Sequence, residues 1–243
     1  MVARPPSKRP RKPAGRPRRR DLPALLLDIH DRLLAAYGPQ GWWPGDGPME
    51  TIFGAILVQN TSWGGAEKAL RNLKAAGALS PQAIRDMPED ELAALIRPSG
   101  YFKSKARKLK AMAAHLATHG DDVGRWRERD AKELRAELLG VWGIGPETAD
   151  DIVLYAAHLP SFVMDAYTVR IVDRLGIQPA KRTYEGYQAL FEANLPVDVA
   201  LWNEYHALLD AHARLTCKKR APLCGACAVR DVCTEGRRPD SAG

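Results

Sequence analysis

The chain has 243 residues, enough for one large domain or for two small domains that share an interface. With 45% hydrophobic and 27% charged residues, its composition is typical of a folded protein and excludes a largely disordered one. No segment approaches the roughly 20 consecutive apolar residues of a membrane span, so we expect no membrane partner.

The formal net charge of +7 is concentrated at the N-terminus. Residues 1–20 contain nine Lys or Arg, five Pro and no acid, whereas the rest of the chain carries 27 basic and 29 acidic residues. We expect a disordered basic tail, suited either to DNA phosphates or to solubility alone. The apolar run at residues 22–27 ends at Asp28 without a cleavage site, which argues against a secretory signal and favours a cytoplasmic, nucleoid-associated protein.

From Asp21 onward, apolar residues recur at helical spacing and no segment alternates with the period of a strand. Gly and Pro mark the ends of about ten helices joined by short loops. The sequence therefore predicts an all-α protein. Three faces have this spacing: Ala66, Ala69, Leu70 and Leu73; Leu109, Met112, Ala113 and Leu116; and Leu201, Tyr205, Leu208 and His212.

Three tryptophans flank the helix predicted at residues 49–58. Trp42 and Trp43 precede it together with Pro44, and Trp63 follows its end. Core packing is the usual fate of Trp, but at least two of these rings could face each other across a slot.

A glycine-rich turn occupies residues 140–145, and Pro146 opens the helix after it. Gly145 can cap that helix, and Pro146 needs no amide partner at its first position. The small residues, including Gly143, let a phosphate approach backbone amides at a helix start. The turn is therefore either an anion-binding hairpin or a plain connector between helices.

Asp165 ends a loop that contains Pro160 and precedes a helix predicted at residues 166–175. Taken alone, an aspartate at this position is the N-cap of the helix.

All four cysteines lie between residues 217 and 233. A reducing compartment disfavours disulfides, and one compact run differs from the two close pairs usual in zinc sites. Four thiolates in one loop suit a [4Fe–4S] cluster, with zinc and free thiols as the alternatives. The ligands would be Cys217, Cys224, Cys227 and Cys233.

These motifs, from about residue 40 to Cys233, resemble the endonuclease III group of the helix-hairpin-helix DNA glycosylases. The resemblance implies two helical lobes, a six-helix barrel lobe and an iron–sulfur cluster lobe, with Asp165 as the catalytic carboxylate. The first lobe, with the helix-hairpin-helix, would span residues 42–159; residues 21–41 and 160–243 would form the second, with the cluster loop at 217–233.

The same resemblance assigns residues that contact DNA. The basic residues of the cysteine loop would bind the DNA backbone. Gln59 and Asn60 would fill the gap left by a flipped base on one side, unless they are ordinary loop polar residues. Tyr101 would be the wedge on the other side, or it could simply anchor the following helix. The basic residues are Lys218, Lys219 and Arg220.

Bifunctional endonuclease III enzymes carry a lysine on the helix after the hairpin, which forms a Schiff base with the sugar. Here Glu147 stands at that position, and a carboxylate cannot do this chemistry. Glu147 could instead have a catalytic role, or it could only complement the helix N-terminus. In both cases lyase activity is in doubt.

The pocket motifs are similar to those of the 3-methyladenine DNA glycosylases built on the endonuclease III fold. The shared features are Trp42-Trp43-Pro44, Glu147 in place of the lysine, and a lone aspartate. The resemblance implies that Trp43 and Trp63 sandwich the extruded base with Pro44 beside them. That subfamily lacks the cysteine cluster, so the chain departs from it there.

We therefore expect a monomeric, monofunctional DNA glycosylase that acts on double-stranded DNA containing a damaged base. An alkylated purine such as 3-methyladenine is the expected substrate, because its positive charge favours contact with aromatic faces and makes it a good leaving group. The alternatives are a bifunctional endonuclease III acting on oxidised pyrimidines and a non-catalytic iron–sulfur protein that binds damaged DNA.

Overall fold

The computed structural model describes residues 21–238, so the predictions for the basic tail at residues 1–20 lie outside the described residues. Residues 21–238 form eleven α-helices and contain no β-strand, which confirms the all-α class. The bounds of the helices are α1 Leu22–Tyr37, α2 Pro48–Leu57, α3 Trp63–Ala75, α4 Pro81–Asp86, α5 Glu89–Leu95, α6 Phe102–Ala117, α7 Ala131–Leu139, α8 Pro146–Asp151, α9 Ala166–Leu175, α10 Tyr184–Glu192 and α11 Val199–Leu215.

Short segments of other helical types complete the chain. Turns of 3₁₀-helix lie at Arg97–Ser99, Gly124–Glu128 and Cys224–Ala226, and α8 continues as a π-helical stretch, Ile152–Ala156. None of the helices within residues 21–238 is long and apolar enough to cross a membrane.

The buried side chains form two hydrophobic clusters. The first core collects residues of α2 to α8 and of the segment that follows, from Ile52 to Leu159. The second core joins α1 to residues 154–155 and to α9, α10, α11 and the cysteine segment. Trp43 packs against both cores, so the tryptophan segment lies where they meet.

The helix faces read from the sequence are largely the buried ones. All four residues of the α3 face and all four of the α6 face are buried. On α11, Leu201 is only partly buried, because it lies near the start of the helix at the edge of the second core. The helix predicted at residues 166–175 is α9 with those same bounds, and the helix predicted at 49–58 begins and ends one residue earlier, as α2.

Candidate active site

A pocket of about 560 Å³ opens between the two cores. This volume lies within the range of about 300–1,000 Å³ that is usual for ligand pockets. Aromatic and acidic side chains dominate its walls. They include Trp42, Trp43, Trp63, Tyr167, Glu147, Asp151, Asp165 and Asp210.

Asp165 stands at the start of α9 with one carboxylate oxygen committed to the helix. Its Oδ1 accepts a hydrogen bond of 2.6 Å from the backbone N–H of Thr168. Asp165 also lines the pocket and is only partly buried, so its carboxylate is open to a ligand. The N-cap role and a role in the pocket are therefore compatible.

The loop before Asp165 is pinned by a buried acid on α8, Asp150. Arg135 donates two hydrogen bonds to the Asp150 carboxylate, at 2.7 and 3.1 Å, and Tyr184 donates a third at 2.7 Å. The hydroxyl of Ser161 donates to the same carboxylate. Tyr184 also accepts a bond of 3.3 Å from the backbone N–H of Met164, next to Asp165. This network holds the loop that carries the aspartate.

Glu147 and Asp151 add two further acids to the pocket from successive turns of α8. Glu147 is exposed to the pocket, and desolvation by the surrounding protein, assisted by the charge of Asp165, raises its pKa to about 7. Asp151 is buried, and desolvation together with the charges of Glu147 and Asp165 raises its pKa well above the usual range. A cation in the pocket would favour the ionised form of both acids.

A polar pair from α11 forms the opposite wall. Asp210 accepts a hydrogen bond of 2.7 Å from Arg214, so this acid has a partner. The Nδ1 atom of His206 shares a hydrogen bond of 2.6 Å with the hydroxyl of Tyr155. Burial lowers the pKa of His206, although the charges of Asp165 and Asp210 oppose the shift.

Sequence reasoning missed Asp150, Asp151, Tyr155, His206 and Asp210. The adjacent acids Asp150 and Asp151 were a usable signal, since both sit within an apolar helix and acids are almost never buried there without a partner or a ligand. Nothing local distinguishes His206 or Asp210, because they reach the pocket only through the packing of α11.

The tryptophan rings do not form the expected sandwich. Trp43 and Trp63 meet edge to face, with centroids 5.3 Å apart and planes at 88°. Trp42 packs on Trp63 at 4.8 Å and 63°. A base between two parallel rings needs a separation of about 7–8 Å, two van der Waals contacts. Instead, the Trp43 ring rests on Gly54, where a Cβ would be 3.0 Å from the ring.

The slot predicted between Trp43 and Trp63 is therefore closed, and the rings form one wall of a wider pocket. The structure also leaves Pro44 exposed and outside that pocket, because the chain turns away from the cleft after Trp43.

The glycine-rich turn connects α7 to α8 as a hairpin. Gly145 is the N-cap of α8 with Pro146 at the first helical position. Gly143 has φ +87°, and a Cβ there would lie 2.5 Å from the Cγ of Lys108. Both the backbone conformation and the close approach of Lys108 therefore require glycine.

The residues expected to fill the DNA gap differ in their hydrogen bonding and exposure. Gln59 is tied to the hairpin: its Nε2 donates to the Gly143 carbonyl at 3.2 Å and to the Thr148 hydroxyl at 2.9 Å. Asn60 lies exposed at the rim of the pocket with φ +53°. Tyr101 is 72% exposed at the start of α6, also in the left-handed region.

The four cysteines come together after α11. All four line one small cavity, and none is in a disulfide. Arg174 donates a hydrogen bond of 3.2 Å to the Sγ of Cys217, and the backbone N–H of Gly236 donates one of 3.3 Å to the Sγ of Cys233. A cavity lined by four cysteines, two of whose sulfurs accept N–H hydrogen bonds, fits a [4Fe–4S] cluster. The basic residues of the loop, Lys218, Lys219 and Arg220, are exposed beside it.

Comparisons with known proteins agree with this geometry. A family model described as "HhH-GPD superfamily base excision DNA repair protein" matches residues 53–196. MJ1434 of Methanocaldococcus jannaschii, a protein assigned as a DNA repair glycosylase, is 41% identical over 211 residues, which are 86% of this chain and 96% of that protein. Endonuclease III of Sulfolobus acidocaldarius is 32% identical over 184 residues, covering 75% of this chain and 80% of that protein.

A solved structure is also similar. The 3-methyladenine DNA glycosylase MagIII of H. pylori, bound to 1,N6-ethenoadenine, superposes with a TM-score of 0.68 and is 26% identical. The match covers 80% of this chain and 97% of that one.

Proposed function

The chain belongs to the HhH-GPD superfamily of base excision DNA repair proteins and is a DNA glycosylase of the endonuclease III family, and we propose that its substrate is a cationic, alkylated purine such as 3-methyladenine. The enzyme would flip the damaged nucleotide out of double-stranded DNA and hydrolyse the bond between base and sugar. The product is an abasic strand without a cut.

The combination of acids and aromatic rings in the pocket carries this proposal. Glu147, Asp151 and Asp165 surround the space beside three tryptophans, and Asp210 is the only lining acid that the described residues pair with a cation. A positively charged base gains from both features, each cation–π contact adding about 1–2 kcal/mol when water is excluded. A neutral oxidised pyrimidine gains little from either one.

Asp165 would perform the chemistry. Its free carboxylate oxygen can orient or deprotonate a water for attack at the C1′ atom of the sugar, and its charge offsets the oxocarbenium ion as the base departs. The alkylated purine leaves as a neutral base, so little help from a general acid is needed. The Asp150 network would keep Asp165 in position by fixing the loop in front of it.

The side chains that reach the pocket support the monofunctional reaction. Within residues 21–238, no lysine lines the pocket, and the resemblance to endonuclease III puts Glu147 at the position of the Schiff-base lysine. A sugar in this pocket meets carboxylates and an arginine held by Asp210, and none of these groups forms a Schiff base.

The similarity to a 3-methyladenine DNA glycosylase supports this substrate class. The second candidate is a bifunctional endonuclease III-type enzyme acting on oxidised pyrimidines. The four-cysteine cavity and the similarity to endonuclease III favour it. The absence of a lining lysine among the described residues opposes it.

We further propose that Cys217, Cys224, Cys227 and Cys233 hold a [4Fe–4S] cluster. When bound, the cluster would supply a structural cross-link. It would fix the basic loop at residues 218–220 against α9, where Arg174 already holds the carbonyls of Lys218 and Lys219 at 2.8 and 3.1 Å.

DNA would lie across the cleft of a monomer in the nucleoid. The amides of the hairpin at Gly143 and Gly145 would hold a phosphate, and Tyr101 would enter the duplex because most of its side chain is exposed to solvent. Gln59 would brace the hairpin in the free protein and would have to release Gly143 and Thr148 before it could fill a gap.

The test of the reaction is incubation with lesion-containing duplexes, followed by borohydride or by alkali. We expect no borohydride-trapped adduct with the wild-type protein and strand breaks only after alkali. Glu147→Lys, which places an amine in the pocket, is the matched variant that should become trappable. A trapped wild-type adduct would show that a lysine reaches the sugar and would support the bifunctional candidate.

A further inference from the structure

A cluster of metal-binding side chains lies in the first core, away from the pocket. His115 is in the last turn of α6, His119 follows the end of that helix, and Glu137 is in the last turn of α7. The two imidazole nitrogens and one carboxylate oxygen all lie within 4.8 Å of one another. None of the three residues lines the pocket.

The contacts inside the cluster leave one nitrogen without a partner. The Nε2 atom of His119 is 2.6 Å from Oε1 of Glu137, and the Nε2 atom of His115 is 3.0 Å from the same oxygen. Only the His119 contact has hydrogen-bond geometry, so the buried Nε2 of His115 has no hydrogen-bond partner among the described residues. An unsatisfied buried nitrogen is costly, and a metal ion shared by the three groups would satisfy it.

The surroundings orient the carboxylate and pack against one of the imidazoles. Arg129 donates a hydrogen bond of 2.6 Å to Oε2 of Glu137, which leaves Oε1 directed at the imidazoles. Metal-binding carboxylates are commonly held by such a hydrogen bond from a second residue, although the positive charge of Arg129 would lie close to the ion. The buried ring of Trp126 packs against His119 with centroids 5.9 Å apart and planes at 87°.

We propose that His115, His119 and Glu137 bind a divalent transition-metal ion, with zinc the best match. Two imidazoles and one carboxylate are typical zinc ligands, whereas magnesium and calcium prefer oxygen alone. Ligand atoms on a tetrahedral zinc lie about 3.3 Å apart at bond lengths of about 2.0–2.2 Å, so the His119 and Glu137 atoms need to separate by less than 1 Å.

Such an ion would fasten α6 to α7 just before the hairpin. Glu137 is three residues before Gly140, where the connection to the hairpin begins, and α6 carries Lys108 against Gly143. The role would be structural, because the three ligands would add a cross-link between α6 and α7, whose buried residues already share the first core.

The test is calorimetric titration of the cluster-loaded, full-length protein with zinc chloride, with the iron content measured before and after. We expect one zinc per chain without loss of iron, and at least 100-fold weaker binding in His115→Gln and in Glu137→Gln. His158→Asn is the matched control, since this exposed histidine has φ +54° and asparagine tolerates that conformation. It should bind zinc as the wild-type protein does.

A second readout separates binding from folding. The melting temperature of the wild-type protein should rise with zinc concentration, and that of His115→Gln should not, while the two proteins give the same helical circular dichroism without metal. His115→Gln removes no hydrogen bond of the described structure, so it should fold. Absence of zinc binding, or equal binding by wild-type and His115→Gln, would overturn the proposal.

Discussion

Replacing Asp165 by asparagine separates catalysis from helix capping. Asparagine is as good an N-cap as aspartate, so the hydrogen bond to the Thr168 amide is preserved and stability should change by less than about 0.5 kcal/mol. The negative charge is lost. A carboxylate about 4 Å from the oxocarbenium charge contributes about 4 kcal/mol at an effective dielectric constant of about 20. That energy corresponds to about a thousandfold slower release of the base.

The assay is single-turnover release of 3-methyladenine from a duplex with one lesion, with binding measured separately. Asp198→Asn is the matched control, because Asp198 caps α11 through the amides of Ala200 and Leu201 and does not line the pocket. The Asp198→Asn variant should slow base release by less than a factor of two. If Asp165→Asn retains base release within about tenfold of wild type, or if Asp198→Asn loses as much, Asp165 acts only as an N-cap.

Three further predictions concern the pocket, the hairpin and the Asp150 network. Because the pKa of Glu147 is about 7 and only its ionised form attracts a cation, base release should rise about tenfold from pH 6 to pH 8, and Glu147→Gln should abolish this rise in a pH–rate profile. Gly143→Ala should weaken binding to undamaged DNA in a salt titration, because the new Cβ forces Lys108 and the hairpin apart; unchanged binding would exclude the hairpin from the interface. Asp150→Asn should lower the free energy of unfolding by about 3 kcal/mol in urea, since it leaves the Arg135 charge unpaired; a loss below about 0.5 kcal/mol would contradict this.

The sequence predicts the helices because each buries a face with regular spacing. Ala66 and Leu73 on α3, for example, need no tertiary information to be recognised as core residues. The cysteine spacing from Cys217 to Cys233 and the cap at Asp165 are likewise local patterns. In the structure the four cysteines line one cavity, and Asp165 is the N-cap of α9.

The orientation of aromatic rings and hydrogen bonds between distant residues cannot be predicted from such local patterns. The edge-to-face contact of Trp43 and Trp63 depends on the space above Gly54, which lies on α2, whereas Trp63 begins α3. The bonds from Gln59 to Gly143 and Thr148 join residues more than 80 positions apart, and no short-range pattern signals them.

The comparison of two lesions under one set of conditions tests the central claim most directly. Equal concentrations of duplexes containing 3-methyladenine or thymine glycol are treated with excess protein, and the free base and the cut strand are measured together. The account predicts faster release of 3-methyladenine, with the strand left intact until alkali is added. Preferential release of thymine glycol with direct strand cutting would contradict it.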